Sequence, residues 1–79
     1  MKSKSYQKEL NLISKKIKEL RLNAGYTSYE TFSIEKGMPP RQYWRMESST
    51  THDFRMSSLL KILEFHGMTL QEFFSGLEE

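Results

Sequence analysis

Gly37-Met38-Pro39-Pro40-Arg41-Gln42-Tyr43-Trp44-Arg45-Met46-Glu47 is the stretch whose reading decides the fold. It predicts a tight turn followed by a short helix over about 40–47. Gly37 takes the positive φ that ends one helix and turns the chain. Pro40 suits the first position of the next helix, where its missing N–H costs little. Tyr43 and Met46 lie three apart and share a core-facing side. Arg41, Gln42 and Arg45 fall largely on the other side, with Trp44 nearby. One apolar stripe opposite a face of Arg, Gln and Trp suits contact with DNA base edges. Arg pairs with guanine and Gln with adenine in bidentate geometry. The same residues also describe an ordinary solvated helix, so the surrounding chain has to decide.

Upstream, residues 7–24 read as a helix. Leu10, Ile13, Ile17, Leu20 and Ala24 recur at spacings of three and four and form one apolar stripe. Lys15, Lys16 and Lys18 lie off it, and Gly25 supplies the stop. The stripe is too short for a coiled coil and fits a helix packed on a core. Thr27-Ser28-Tyr29-Glu30 has the form of a capping box, with Thr27 as the N-cap of a second helix over about 28–35. Phe32 is its expected core residue. Small Ser33 leaves room for a neighbouring helix.

Downstream, residues 48–53 form a polar connection. A fourth helix is expected over 55–66, with Met56, Leu59, Leu60 and Leu63 on one face and Ile62 extending it. Phe54 is expected to fold over the core. Gly67 ends the helix. Thr69-Leu70-Gln71-Glu72 is a second capping box and opens a short fifth helix to about Phe74. Leu70, Phe73 and Phe74 are expected to close the base of the core. Residues 1–6 read as a flexible basic arm, 7–75 as the folded domain and 76–79 as an acidic tail. The fold class is therefore all-α, with five helices and short connections. A glycine-containing turn between the second and third makes a helix-turn-helix.

Composition narrows the function. The 79 residues make one small domain. With no cysteine there is no disulfide and no thiolate metal site. His52 and His66 do not have ligand spacing, so no metal site and no cofactor are expected. No apolar run approaches a membrane span, and the Lys- and Ser-rich start lacks the apolar segment of a secretory signal. A cytoplasmic protein is the simplest expectation. Net charge is only +2, but residues 1–21 hold seven Lys/Arg against two Glu, while 48–79 hold two against five Asp/Glu. A basic front and an acidic back suggest one face drawn toward phosphate.

Taken together, the chain resembles the Cro-and-phage-repressor class of helix-turn-helix proteins, the XRE-like family. The likeness covers about 12–74 and rests on pieces in the right order. These are Ile17-Lys18-Glu19-Leu20-Arg21 and Gly25-Tyr26-Thr27, then Phe32, Gly37, Met38, Tyr43, Met46 and Glu47. Leu59-Leu60-Lys61-Ile62-Leu63 and Gly67-Met68-Thr69-Leu70-Gln71-Glu72-Phe73-Phe74 follow. The resemblance implies a compact lambda-repressor-like domain in which Arg21 and Glu47 form a partly buried structural ion pair. It implies base contacts from Pro40, Arg41, Trp44 and Arg45, with Gln42 adjacent. It implies phosphate contacts from Ser28 and Tyr29, and from Ser48 and Thr50 beyond the recognition helix. The chain departs from the pattern at Pro39, which replaces the usual hydroxyl N-cap.

The expected function is sequence-specific binding of double-stranded DNA as a transcriptional regulator, with two copies on a two-fold site. Phe73, Phe74 and Leu77 are candidates for the dimer surface. The alternative is a protein-interaction module on the same fold, antitoxin-like or an adaptor, with Tyr43 and Trp44 as anchors. An enzyme is not expected: the sequence holds no nucleophile–base pair, phosphate-binding glycine loop or carboxylate cluster.

Overall fold

Apolar spacing and capping chemistry set five helices among the described residues: α1 (Gln7–Asn23), α2 (Tyr29–Glu35), α3 (Pro40–Glu47), α4 (Met56–Phe65) and α5 (Leu70–Ser75). They are seen in a computed structural model that describes residues 7–48 and 55–77. The described residues contain no strand, so the domain is all-α. None of the described helices is long and apolar enough to cross a membrane. The expected basic arm at 1–6, most of the polar connection with His52, Thr50 and Phe54, and Glu78 and Glu79 lie outside the described residues.

Three helices end in the same way. At the close of α2, the Met38 N–H donates to the Ser33 carbonyl at 2.9 Å and the Gly37 N–H to the Ile34 carbonyl at 3.2 Å. This is a Schellman motif, which satisfies carbonyls the helix would leave bare. It needs a left-handed residue, and Gly37 has φ 81°. α1 ends on the same pair of bonds, from Tyr26 to Arg21 and from Gly25 to Leu22. α4 repeats them from Met68 to Leu63 and from Gly67 to Glu64. In each case the residue after glycine turns inward. Met38 is buried, and Tyr26 and Met68 pack against the core.

The starts are less uniform. α5 opens on the expected capping box: the Glu72 N–H donates to Thr69 Oγ1 at 3.1 Å, and the Thr69 N–H donates to Glu72 Oε1 at 2.9 Å. α2 does not use the box expected at Thr27. Ser28 is the N-cap, and its Oγ accepts from the Thr31 N–H at 3.2 Å. Either hydroxyl could serve by type, and the one in extended geometry directly before the first helical turn takes the role. α3 begins after Pro39 with no side-chain cap, and Pro40 occupies its first turn.

The core consists of Ile17, Phe32, Met38, Tyr43, Met46, Leu59, Ile62, Leu63 and Phe73. Phe32 is its hub. Its ring centroid lies 5.0 Å from Tyr26, 5.3 Å from Tyr43, 6.1 Å from Phe65 and 5.4 Å from His66. It therefore joins α2 to α3, to α4 and to the exit of α1, mostly through edge-on or tilted contacts that suit ring quadrupoles. α3 packs on α2 and α1, and α5 packs on α4.

Several expectations of burial are corrected. Ala24 is exposed, because α1 has already ended at Asn23. Ser14 and Arg21 are buried on the inner side of α1 among the apolar residues. Met56 and Leu60 stand out from α4 rather than facing the core, which is filled by Leu59, Ile62 and Leu63. The buried side of a ten-residue helix is narrow, and the apolar residues of α4 exceed it. Leu70 and Phe74 likewise remain partly exposed, while Phe73 is fully buried. Leu77 packs against the core.

His66 caps the end of α4 with its ring stacked on Phe32, the planes only 13° apart. Its Nε2 is buried without a hydrogen-bond partner. Burial pushes the imidazole below its ordinary value, and the nearby Lys36 charge adds to the shift. The folded state therefore disfavours the proton that the unfolded chain takes up at about pH 6.5. Stability should be full above that pH and fall as pH drops toward the depressed folded value. Thermal denaturation across this window should show the loss in the wild type and a flatter profile in His66→Gln. Identical profiles would mean that another group titrates.

Candidate nucleic-acid interface

α3 is held by one buried guanidinium. Arg21, only 4 % exposed, reaches from the last turn of α1 to the end of α3. Its Nε donates to Glu47 Oε2 at 2.6 Å and its Nη2 donates to Glu47 Oε1 at 3.1 Å. Its Nη1 donates to the Tyr26 carbonyl at 2.8 Å. The planar fork of Arg fits a carboxylate in two parallel bonds, which fixes direction as well as distance. One side chain thus ties the exit turn of α1 to the C-terminal end of α3. The hydrogen bond to Glu47 holds the guanidinium above its ordinary value. Tyr43 lies beside this pair, and burial pushes its phenol well up, with Glu47 adding to the effect. Its hydroxyl feels the charges of the pair, and no described group meets it in hydrogen-bond geometry.

With Tyr43 and Met46 buried and Glu47 clamped, the other side of α3 faces outward. Arg41, Gln42 and Arg45 are exposed, and Trp44 is 44 % exposed. Pro40 is half-buried in the first turn of the helix. Trp44 is therefore not a core residue. Gln42 is engaged by α4: its Nε2 donates to Ser58 Oγ at 3.2 Å, which leaves Oε1 as the end able to accept.

The residues expected at phosphate are placed less uniformly. The Ser28 hydroxyl oxygen accepts the capping bond of α2 and keeps its own proton to donate. Tyr29 is half-buried and packs against the core. Ser48 is half-buried at the end of α3, and its N–H donates to the Trp44 carbonyl at 2.9 Å. Thr50 lies outside the described residues.

The structure adds residues that the sequence reading assigned no role. A groove of about 550 Å³ runs between α3 and α4, bounded by Gln42 and Arg45 on one side and Arg55, Ser58 and Lys61 on the other. Among the described residues, three cations and no carboxylate line it. The signal was present in the chain, because Arg55, Ser58 and Lys61 are spaced three apart and share one side of α4. What the sequence lacked was the packing that brings that side against α3. Among the described residues, no group of His, Asp or Glu is placed to hold a metal ion.

Cutting the Arg21–Glu47 pair should be costly, because it leaves the surviving partner charged and buried. Arg21→Ala is expected to lower unfolding free energy by about 3–5 kcal/mol. The exposed Tyr26 hydroxyl donates to Glu35 Oε1 at 2.7 Å, and removing that bond with Glu35→Ala should cost no more than about 1 kcal/mol. Denaturant titration of both variants provides the check, and equal losses would refute the special role of the buried pair. No protein-family model, curated protein or solved structure matches the chain, so its own residues and geometry carry the functional reading.

Proposed function

We propose that this protein binds double-stranded DNA sequence-specifically, as a homodimeric transcriptional regulator of the Cro-and-phage-repressor type, with α3 as the recognition helix. The observation that carries this reading is the outward face of α3 continuing into a groove whose charged lining, among the described residues, is Arg45, Arg55 and Lys61. Arg41, Gln42 and Arg45 are exposed on a helix whose opposite side is locked in the core. Arg45 also borders the groove that Arg55 and Lys61 complete.

The division of labour follows from the chemistry. An α-helix fits the major groove, where Arg forks onto guanine and Gln onto adenine. In this reading Arg41 and Arg45 are the principal base readers, and Gln42 reads through the amide end left available by Ser58. Trp44 and Pro40 supply apolar contact to sugars or a thymine methyl. Arg55 and Lys61 neutralise phosphates at the groove edge and fix register without reading sequence. The Arg21–Glu47 clamp keeps α3 at one angle, which base readout requires because its bonds are directional. A single small domain makes few contacts. Two copies about one helical turn apart on a two-fold site supply the rest.

One observation favours the interaction-module alternative: Trp44 presents a large aromatic surface on the same face. Salt separates the two. DNA binding should weaken with a log–log slope of about −0.9 per phosphate neutralised, whereas an apolar protein interface responds little.

Selection from randomised duplex DNA should enrich a two-fold-symmetric site. Arg41→Ala should cost about 1–3 kcal/mol on that site and relax preference at one position. Arg55→Ala should weaken all sequences alike and reduce the salt slope by about 1. A folded wild-type protein that enriches nothing would overturn the DNA reading.

A further inference from the structure

A side-chain hydrogen bond joins the first turn of α3 to the first turn of α4. Gln42 Nε2 donates to Ser58 Oγ at 3.2 Å. Gln42 is exposed and Ser58 is half-buried. Both line the α3–α4 groove, together with Arg45, Arg55 and Lys61. Ser58 stands between Arg55 and Lys61 in the chain, three positions from each, and so belongs to the same row of α4.

A primary amide presents different chemistry at its two ends. Nε2 carries two protons, and Oε1 only accepts. With one proton given to Ser58, Gln42 keeps one N–H beside its carbonyl oxygen. That pair matches the N7 acceptor and the N6 amine of adenine in the major groove. Turned over, the amide gives its oxygen to Ser58 and offers protons alone, which suit the acceptors of guanine or thymine. The hydroxyl decides between the two orientations, because it can donate as well as accept.

We propose that Ser58 couples the DNA backbone to base readout by holding the Gln42 amide in its adenine-reading orientation. The proposal rests on the DNA-binding reading. A phosphate drawn to Arg55 and Lys61 sits on the row that contains Ser58, and it takes the hydroxyl proton in a charge-assisted hydrogen bond. The Ser58 oxygen is then left only to accept, and Nε2 is the end of the amide that satisfies it. The overturned amide would set two oxygens against each other with no proton between them. Donation runs one way along the chain of groups, from adenine N6 to Oε1, from Nε2 to Oγ and from Oγ to phosphate. Hydrogen bonds aligned in this way strengthen one another. Ser58 is therefore a positioning residue, which touches no base and acts through Gln42. Arg55 and Lys61 supply charge to the same phosphate without fixing the amide.

The experiment is selection from randomised duplex DNA with wild type, Gln42→Ala, Ser58→Ala, Ser58→Thr and Arg55→Ala. Wild type should select adenine at the position whose preference Gln42→Ala removes. Ser58→Ala should lower that adenine preference by about five-fold or more, while the positions read by Arg41 and Arg45 stay unchanged. Ser58→Thr keeps the hydroxyl and should keep the preference. Arg55→Ala should weaken all sequences alike. Melting temperatures control for folding of each variant. A different base at the Gln42 position overturns the proposal. So does an adenine preference that survives Ser58→Ala, or a loss of preference at all positions together in that variant, which would make Ser58 merely structural. In each of these cases an enriched site leaves the DNA-binding reading standing. A folded wild type that enriches nothing removes that reading, and the proposal with it.

Discussion

A buried arginine is the constraint on which the outward face of this domain depends. Removing a guanidinium from water is expensive, and it is tolerated where its nitrogens find acceptors in good geometry. Each of the three nitrogens of Arg21 donates to one, the two oxygens of Glu47 and the carbonyl of Tyr26. Those partners come from different parts of the chain, so satisfying one side chain fixes several backbone positions at once. The C-terminal end of α3 cannot tilt without breaking bonds that have no water to replace them. An apolar contact at the same place would hold distance but would leave rotation about the helix axis less defined.

The remainder of the core acts in support of that geometry. Phe32 touches rings from the exit of α1, from α3 and from α4. The Schellman turns at Gly25, Gly37 and Gly67 each bring the following residue inward, so the helix ends contribute packing as well as satisfied carbonyls. Among the described residues, two buried polar atoms lack a partner in hydrogen-bond geometry, the Tyr43 hydroxyl and His66 Nε2. Both belong to rings whose apolar bodies are needed by the core, and the unmet hydrogen bonds are costs accepted for that area.

The distribution of charge also has a structural cause. The chain is close to neutral, yet burial removes Arg21 and Glu47 from the surface as a pair. Among the described residues, the charged side chains of the α3–α4 groove are Arg45, Arg55 and Lys61. A weakly charged protein thereby acquires a local positive field, which is the quantity a phosphate responds to.

Much of the architecture was legible in the chain. The 40–47 helix, the glycine stops, the capping box at Thr69 and the burial of Phe32, Tyr43, Met46 and Phe73 follow from local rules of spacing and capping. Such rules act within one turn and need no knowledge of neighbours. The choice between Thr27 and Ser28 as cap, and the exposure of Met56, Leu60, Leu70 and Phe74, did not follow. Adjacent hydroxyls are chemically alike, and a helix richer in apolar residues than its buried side can hold gives no sign of which ones are left over. The site divides in the same way. Residue types and helical spacing placed Arg41, Gln42 and Arg45 on one face of α3. Only tertiary packing brought Arg55 and Lys61 beside Arg45 and engaged Gln42 with Ser58, because these contacts join residues 10 to 16 positions apart across a connection whose path the sequence does not specify.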